Sequence, residues 1–226
     1  MTETMFTLPS SLYVPLLDLA CGAFLLTGMM VLWRRDLAAI VRLFALQGIA
    51  LAALIVVLGV YEQDVELVAV GLGVGALRAG LLPYLMRRAL IAGGAGREVR
   101  PVVNVATSLL VAAVLAMLAY AVAQPLIRLS PTPATQAVPI ALTVLLVGFF
   151  VLVTRRRALS QVVGFLLMDN AITMTAFLTT SGVPLVVELG ISMDVLLAVL
   201  VFQVLTTRMR AAFGGTDLDE LRELHD

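Results

Sequence analysis

Residues 37–60 read LAAIVRLFALQGIALAALIVVLGV, an apolar run with a single charged residue, Arg42. An α-helix rises about 1.5 Å per residue, so a run of about 20 apolar residues crosses the roughly 30 Å hydrocarbon core of a bilayer. A helix also satisfies its own backbone N–H and C=O groups, which lipid cannot do. The stretch therefore predicts a transmembrane helix.

Similar runs lie on both sides of this stretch. The predicted spans are 12–33, 37–60, 67–86, 102–124, 137–154, 158–180 and 184–206. The short segments between them contain charges, glycine and proline, which are typical of loops. We therefore predict an all-α polytopic membrane protein of about seven transmembrane helices, with the lipid bilayer as its first partner.

The composition excludes several classes of protein. Hydrophobic residues make up 61% of the chain, charged residues 13%, and the mean hydropathy is +1.06, whereas soluble domains are roughly 45–50% apolar and about 25% charged. The only cysteine, Cys21, lies in the first run, and the only histidine, His225, is the penultimate residue. These cannot supply a disulfide framework, a zinc site or an iron–sulfur ligand set. We predict no metal and no other cofactor, and nothing points to nucleic acid.

The arginines predict the orientation, because cytoplasmic loops carry the positive excess. Twelve of the fifteen fall on one side of the predicted membrane, and Arg128 alone falls on the other. The twelve are Arg34, Arg35, Arg87, Arg88, Arg97, Arg100, Arg155, Arg156, Arg157, Arg208, Arg210 and Arg222. The N-terminus is therefore predicted outside and the C-terminus in the cytoplasm.

The chain divides into an N-terminal four-helix region (1–136), a three-helix region (137–213) and a cytoplasmic tail (214–226) within one integrated membrane domain. Helices one to three and five to seven are consistent with a parallel three-helix repeat. In both halves an arginine cluster precedes a helix with a central polar residue, Gln47 in one and Asp169 in the other.

Ionisable residues within the spans are the candidate site, because a charge at mid-membrane is costly and usually marks an ion or proton path. Asp169 lies halfway along the sixth span and Asp194 near the middle of the seventh. Arg78 lies within the third span and keeps its proton, so its predicted role is to interact with a neighbouring carboxylate. The alternative for the two aspartates is a protonated or ion-paired structural residue that holds two helices together. The alternative for Arg78 is a side chain that snorkels to the interface or a structural ion pair.

Asp18 in the first span and Glu188 in the seventh lie nearer the predicted outer surface. They are candidates for further residues of a proton path, or for solvated residues at the mouth of that path.

In the tail, Leu218, Leu221 and Leu224 form a narrow apolar stripe on a short predicted helix. This stripe suits docking on a partner subunit, with a frayed, solvated tail as the alternative.

Two segments resemble a known family. Arg155 to Leu159, followed by GFLLMDNA at 164–171, resembles the arginine turn and the Gly-Leu-Glu-x-Met-x-Asn motif of the small K-type subunit of respiratory complex I. With the four preceding helices, the pattern resembles component E of hydrogenase-4 and formate hydrogenlyase-type complexes. In that family we expect Glu-Leu/Ile-Gly-Ile with a following aspartate, as at 188–194, and a basic residue before a proline in the third helix, as at Arg78 and Pro83. The glutamate of the complex I motif falls at Leu166, and the carboxylate stands at Asp169 instead, close to the same helix face.

The resemblance implies a non-catalytic membrane subunit of a group 4 nickel–iron hydrogenase or formate hydrogenlyase-like assembly in the bacterial inner membrane. It implies antiporter-like and quinone-subunit-like membrane partners, with redox chemistry in soluble hydrogenase or dehydrogenase subunits and no active site in this chain. Asp169, Asp194 and Arg78 would contribute to a proton-translocation path. A structural membrane anchor for a peripheral redox enzyme and a stand-alone secondary transporter are the alternatives.

Overall fold

The computed structural model describes residues 9–34, 36–92, 104–155, 158–180 and 199. These residues form helices and connecting turns, and none of them lies in a strand. The helices are α1 (Ser10–Trp33), α2 (Leu37–Glu62), α3 (Val65–Gly75), a π-helical segment (Ala76–Leu81), α4 (Leu82–Ala92), α5 (Val105–Leu129), α6 (Pro133–Gln136), α7 (Val138–Thr154) and α8 (Ala158–Thr180). The all-helical prediction is confirmed for this part of the chain.

Six stretches of the described chain are long and apolar enough to cross a membrane. They are Ser10–Trp33, Leu37–Glu62, Val65–Arg88, Val105–Leu129, Pro133–Thr154 and Ser160–Thr180. These coincide with the first six predicted spans, as expected for a polytopic membrane protein. The seventh span lies outside the described residues except for Val199. The full helix count, the orientation and the domain boundaries stay predictions.

Local hydrogen bonds fix the turn between α2 and α3. Gln63 ends α2 in the left-handed region, with φ at 59°. The Asp64 carboxylate accepts hydrogen bonds from the backbone N–H groups of Glu66 and Leu67, at 2.9 and 3.2 Å. It thereby satisfies N–H groups that a helix start leaves without a partner. The chain can reverse direction within two residues, and α2 and α3 pack side by side.

Two spans differ from their predicted form. The third continues as α3, the π-helical segment and α4, whereas hydropathy predicted one regular span over 67–86. A π-helical turn inserts an extra residue into the hydrogen-bond ladder, and such turns are frequent at functional sites.

The fourth span was expected to end at Gln124, but α5 continues through Pro125 to Leu129. Proline only removes one backbone donor there, and Ser130 N–H still donates to the Leu126 carbonyl at 3.3 Å.

Glycines allow the closest helix contacts. A Cβ atom on Gly164 of α8 would lie 2.6 Å from the Leu152 backbone nitrogen, and one on Gly148 of α7 would lie 2.9 Å from that of Met168. The α7–α8 pair therefore packs backbone against backbone, as small residues permit in membrane helices. On α3, a Cβ on Gly71 would lie 2.8 Å from Val56 Cγ2, and one on Gly75 would lie 3.0 Å from the Ala52 Cβ. Gly71 and Gly75, which are four residues apart, thus lie on the face of α3 that packs against α2.

The buried apolar side chains form two clusters stacked along the bundle. The first, here the Tyr13 cluster, includes Tyr13, Phe24, Ala50, Val74, Val144 and Ala171. The second, here the Phe44 cluster, includes Val31, Phe44, Leu82, Val147, Leu167 and Val199. Helix α2 contacts α1, α3, the π-helical segment, α4 and α8, so it lies at the centre. Between the two clusters, α2, the third span and α8 each bury a polar side chain: Gln47, Arg78 and Asn170, respectively.

Candidate functional site

The centre of the candidate site is Arg78, which the π-helical segment places in the bundle interior with 1% of its side chain exposed. The Arg78 Nη1 atom donates to Asp169 Oδ2 at 2.5 Å and to Asn170 Oδ1 at 2.6 Å. The Nη2 atom donates to Thr173 Oγ1 at 2.8 Å. The guanidinium therefore binds one carboxylate and two neutral acceptors, all of them on α8.

The hydrogen bonds continue into a third helix. Asn170 Nδ2 donates to Gln47 Oε1 on α2 at 3.0 Å, and both side chains are fully buried. The Gln47 Nε2 atom has no hydrogen-bond acceptor among the described residues. A buried donor in this state costs about 1–3 kcal/mol, and ordered water is the usual remedy. Gln47, Arg78, Asp169, Asn170 and Thr173 are here called the polar layer.

Small residues let α2 approach the arginine. A Cβ atom on Gly48 would lie 2.8 Å from the Arg78 carbonyl carbon, so only glycine fits this contact between α2 and the π-helical segment. On the other side of Gln47, a Cβ on Gly28 of α1 would lie 3.2 Å from Gln47 Nε2. The polar layer is therefore enclosed by backbone as well as by side chains.

The surroundings of the polar layer are apolar on both sides. On α2, Gln47 lies between Phe44 of one cluster and Ala50 of the other. On α8, Asn170 lies between Leu167 and Ala171, which belong to the same two clusters. Removing one partner of a buried ion pair typically costs about 3–5 kcal/mol, because a charge is left uncompensated. The Arg78–Asp169 pair is therefore a strong constraint on the packing of α8 against the third span.

Asp169 differs from the other members of the layer because 12% of its side chain remains accessible. Arg78, Gln47, Asn170 and Thr173 are each exposed by 4% or less. The carboxylate is thus the point at which the polar layer reaches the edge of the described bundle. Chemically, the layer can hold a proton on a carboxyl group and keep an arginine hydrogen-bonded beside it.

The structure unites two of the predicted site residues, Asp169 and Arg78. Asp18 does not join them: it is exposed on α1 and forms no hydrogen bond or ion pair with the described polar layer. The remaining predicted residues, Asp194, Glu188, Leu218, Leu221 and Leu224, lie outside the described residues.

Sequence reasoning did not assign Asn170, Thr173 or Gln47 to the site. Asn170 was noted only as part of a motif, and Gln47 only as a central polar residue in the repeat argument. The available signal was helical spacing: Asp169, Asn170 and Thr173 lie within one turn, so a single basic group can reach all three. The proposed repeat had also paired Gln47 with Asp169, and both positions lie in the polar layer.

A second buried arginine lies at the end of the bundle where α1 and α7 terminate. Arg155 follows the last residue of α7 and is 5% exposed. Its Nη2 atom donates to the carbonyls of Val31 and Arg34, both at 3.2 Å. It therefore binds carbonyl groups that the end of α1 leaves without helical partners. The sequence had placed Arg155 among the twelve arginines on the predicted cytoplasmic side.

Within the described residues, no group of three or more histidine, cysteine, aspartate or glutamate side chains could hold a metal ion. The carboxyl groups described within the predicted spans, Asp18 on α1 and Asp169 on α8, lie on different helices. The chemistry that these residues support is that of proton binding and ion pairing.

Comparison with known proteins gives two levels of similarity. The chain is 52% identical over 212 residues to a Mycobacterium tuberculosis protein named "Uncharacterized protein Rv0085", covering 93% of this chain and 96% of that protein. The chain belongs to the family of that mycobacterial protein. No family model matches the chain, and no solved structure matches it significantly.

The more distant similarity is to hydrogenase-4 component E of Escherichia coli and of Shigella flexneri. Both are 31% identical to this chain over 115 residues, which is 51% of this chain and 53% of each relative. The matched region thus spans about half the length of these relatives. This similarity relates the chain to the membrane subunit family of hydrogenase-4 component E.

Proposed function

We propose that the chain is a non-catalytic membrane subunit of a group 4 nickel–iron hydrogenase or formate hydrogenlyase-like assembly, and that its polar layer is part of a proton-translocation path. The distant similarity to hydrogenase-4 component E supports the assembly. Six bilayer-length apolar helices support a position in the membrane. The single observation that carries the path is the Arg78–Asp169 ion pair, enclosed between two apolar clusters.

The geometry suits a carboxyl group that gains and loses a proton. When Asp169 is ionised, the pair with Arg78 compensates both charges. When a proton binds Asp169, Arg78 keeps Asn170 Oδ1 and Thr173 Oγ1 as acceptors, so the guanidinium is still hydrogen-bonded. Because an arginine does not release its proton in proteins, its task is to hold the carboxylate in place and to bias its charge state.

Asp194 is proposed as the second carboxyl group of the path. Val199, five residues after it, is buried in the Phe44 cluster together with Val163 and Leu166 of α8. The seventh span is predicted to run antiparallel to α8, and Asp194 falls near its middle, as Asp169 does in the sixth span. Asp194 itself lies outside the described residues. Glu188 remains a proposed residue of the path nearer the outer surface.

Redox chemistry in this proposal belongs to soluble hydrogenase or dehydrogenase subunits, and antiporter-like and quinone-subunit-like membrane subunits complete the route. The proposed location is the bacterial inner membrane. A shift of charge in a neighbouring subunit would change the proton occupancy of Asp169 through electrostatic coupling. A structural anchor is the second candidate, because the same buried ion pair also clasps α8 to the third span.

Replacing Asp169 by asparagine in the assembled complex distinguishes the two candidates. The amide keeps the shape of the carboxyl group and can accept from Arg78, but it cannot bind a proton. We expect proton pumping by proteoliposomes of the variant complex to fall about 10-fold or more, since proton-transfer groups contribute about 10²–10⁴-fold. Glu66→Gln, an exposed position at the start of α3, is the matched control. Normal pumping by an assembled Asp169→Asn, Asp194→Asn complex would leave only the anchor.

A further inference from the structure

One face of α1 is exposed from Ser11 to Leu26 and carries a carboxylate. Ser11, Pro15, Asp18, Gly22 and Leu26 recur at intervals of three or four residues, and all are exposed. The opposite face of the helix carries the buried residues, among them Leu17, Phe24 and Val31. We refer to the exposed stripe around Asp18 as the Asp18 face.

Asp18 lies too deep for water to solvate it if α1 crosses the membrane. It follows Ser10, the first residue of α1, by eight positions, which is about 12 Å of helix rise. The hydrocarbon core begins only a few ångströms inside the end of a helix of this length. Lysine and arginine escape by extending long side chains to the interface, but aspartate has a single methylene group. The carboxylate at this depth therefore requires a partner that lipid does not provide.

The shape of the face favours another helix as that partner. A Cβ atom on Gly22, one turn after Asp18, would meet nothing within 4 Å. The large apolar neighbours Leu19 and Leu26 are 69% and 61% exposed on either side of this notch. Small residues at such a position let helix backbones approach closely in membranes. The Asp18 face thus combines open space at Gly22, exposed apolar side chains at Leu19 and Leu26, and the Asp18 carboxylate.

The complementary charge has to come from another kind of chain. All fifteen basic residues of this protein are arginines, and its predicted seventh span, 184–206, contains none of them. Arg78 binds Asp169, and Arg42 is exposed with its Nε atom donating to the Ala38 carbonyl at 3.3 Å. Arg128, in the last turn of α5, is exposed and forms no ion pair with Asp18. A second copy packed by two-fold symmetry would bring Asp18 against Asp18, which is repulsive.

We propose that the Asp18 face binds a transmembrane helix of a different membrane subunit, which presents a lysine or arginine side chain to Asp18. This inference rests on the proposed membership of a multisubunit complex. It assigns Asp18 to subunit docking, whereas the sequence had suggested a residue at the mouth of a proton path. The partner is defined by its chemistry: an apolar, membrane-spanning helix with one basic residue in its outer half.

Photo-crosslinking in the native membrane tests the contact directly. A photoreactive amino acid at Gly22 is introduced into the chain within the intact complex, and the crosslinked peptide is sequenced. We expect a peptide from the apolar span of another subunit with a lysine or arginine, while the same probe at Leu72, on the exposed side of α3, does not give that peptide. Crosslinks to lipid alone, to this chain's own spans or to a second copy would overturn the inference.

Charge reversal then tests the chemistry. Asp18→Arg is expected to reduce recovery of the crosslinked subunit about 10-fold or more, and reversing the partner's basic residue is expected to restore it. Asp18→Asn keeps the shape of the side chain and removes only its charge, so it is the control for misfolding of Asp18→Arg. It is expected to reduce recovery of the crosslinked subunit less. An Asp18→Arg complex that keeps all its subunits and still pumps protons would overturn the docking site while leaving the proposed function intact. A native chain that purifies with no membrane partner would overturn both.

Discussion

Arg78 and Arg155 are both buried in a bundle of apolar helices, yet their described hydrogen bonds reach different kinds of acceptor. Arg78, midway along the bundle, binds side chains, including the Asp169 carboxylate. Arg155, at the end of the bundle, binds the main-chain carbonyls of Val31 and Arg34. The C-terminus of a helix carries partial negative charge on its free carbonyls, whereas mid-helix carbonyls are already bonded. Free carbonyls at the end of a helix are therefore available to a buried arginine such as Arg155, whereas Arg78 in the middle of the bundle contacts side chains.

The largest effect is expected at Arg78. Arg78→Met leaves the Asp169 carboxylate buried without its counter-ion, and we expect the free energy of unfolding to fall by about 3–5 kcal/mol. Denaturation of the purified protein in mixed detergent micelles measures this change. The double variant Arg78→Met, Asp169→Leu removes both charges and is expected to recover most of the loss. A double variant as unstable as the sum of the two single variants would contradict the ion pair.

A smaller effect is expected at Arg155. Arg155→Met removes the hydrogen bonds that a charged group donates to the carbonyls of Val31 and Arg34, so we expect a loss of about 1.5–3 kcal/mol. The loss should be local, since the bonds hold the last turn of α1. Hydrogen exchange of the amides in that turn should speed up, while exchange at the centre of α8 should not. Equal acceleration in both places would show that Arg155 supports the whole bundle.

The smallest effect concerns a methyl group beside Arg78. A Cβ atom on Gly48 would lie 2.8 Å from the Arg78 carbonyl carbon, so Gly48→Ala should separate α2 from the π-helical segment at a cost of about 1–3 kcal/mol. Gly80 lies in the π-helical segment, and a Cβ atom added there would meet nothing within 4 Å. Gly80→Ala is therefore the matched control and should be neutral or slightly stabilising. The same denaturation measurement compares them, and equal costs would contradict the close contact.

The sequence indicated much of the fold because hydropathy is a local property. Each of the six described spans was recognisable from its own run of apolar residues, and Asp169 and Arg78 stood out because a charge within such a run is conspicuous. The irregular turn at Ala76–Leu81 left no comparable signal, since its composition suits a regular helix equally well. The continuation of α5 past Pro125 was missed because proline usually, but not always, ends a helix.

By itself the sequence determined that this chain is built from bilayer-length helices and that a few ionisable groups lie within them, because apolar length and charge can be counted along the chain. Only the tertiary structure decided that Arg78 meets Asp169, 91 residues away, that Asn170 connects them to Gln47, and that Asp18 faces outwards. The physical reason is that pairing between helices depends on their rotation and height. Those are set by packing contacts such as Gly48 against the Arg78 backbone and Gly164 against Leu152, which no single helix encodes.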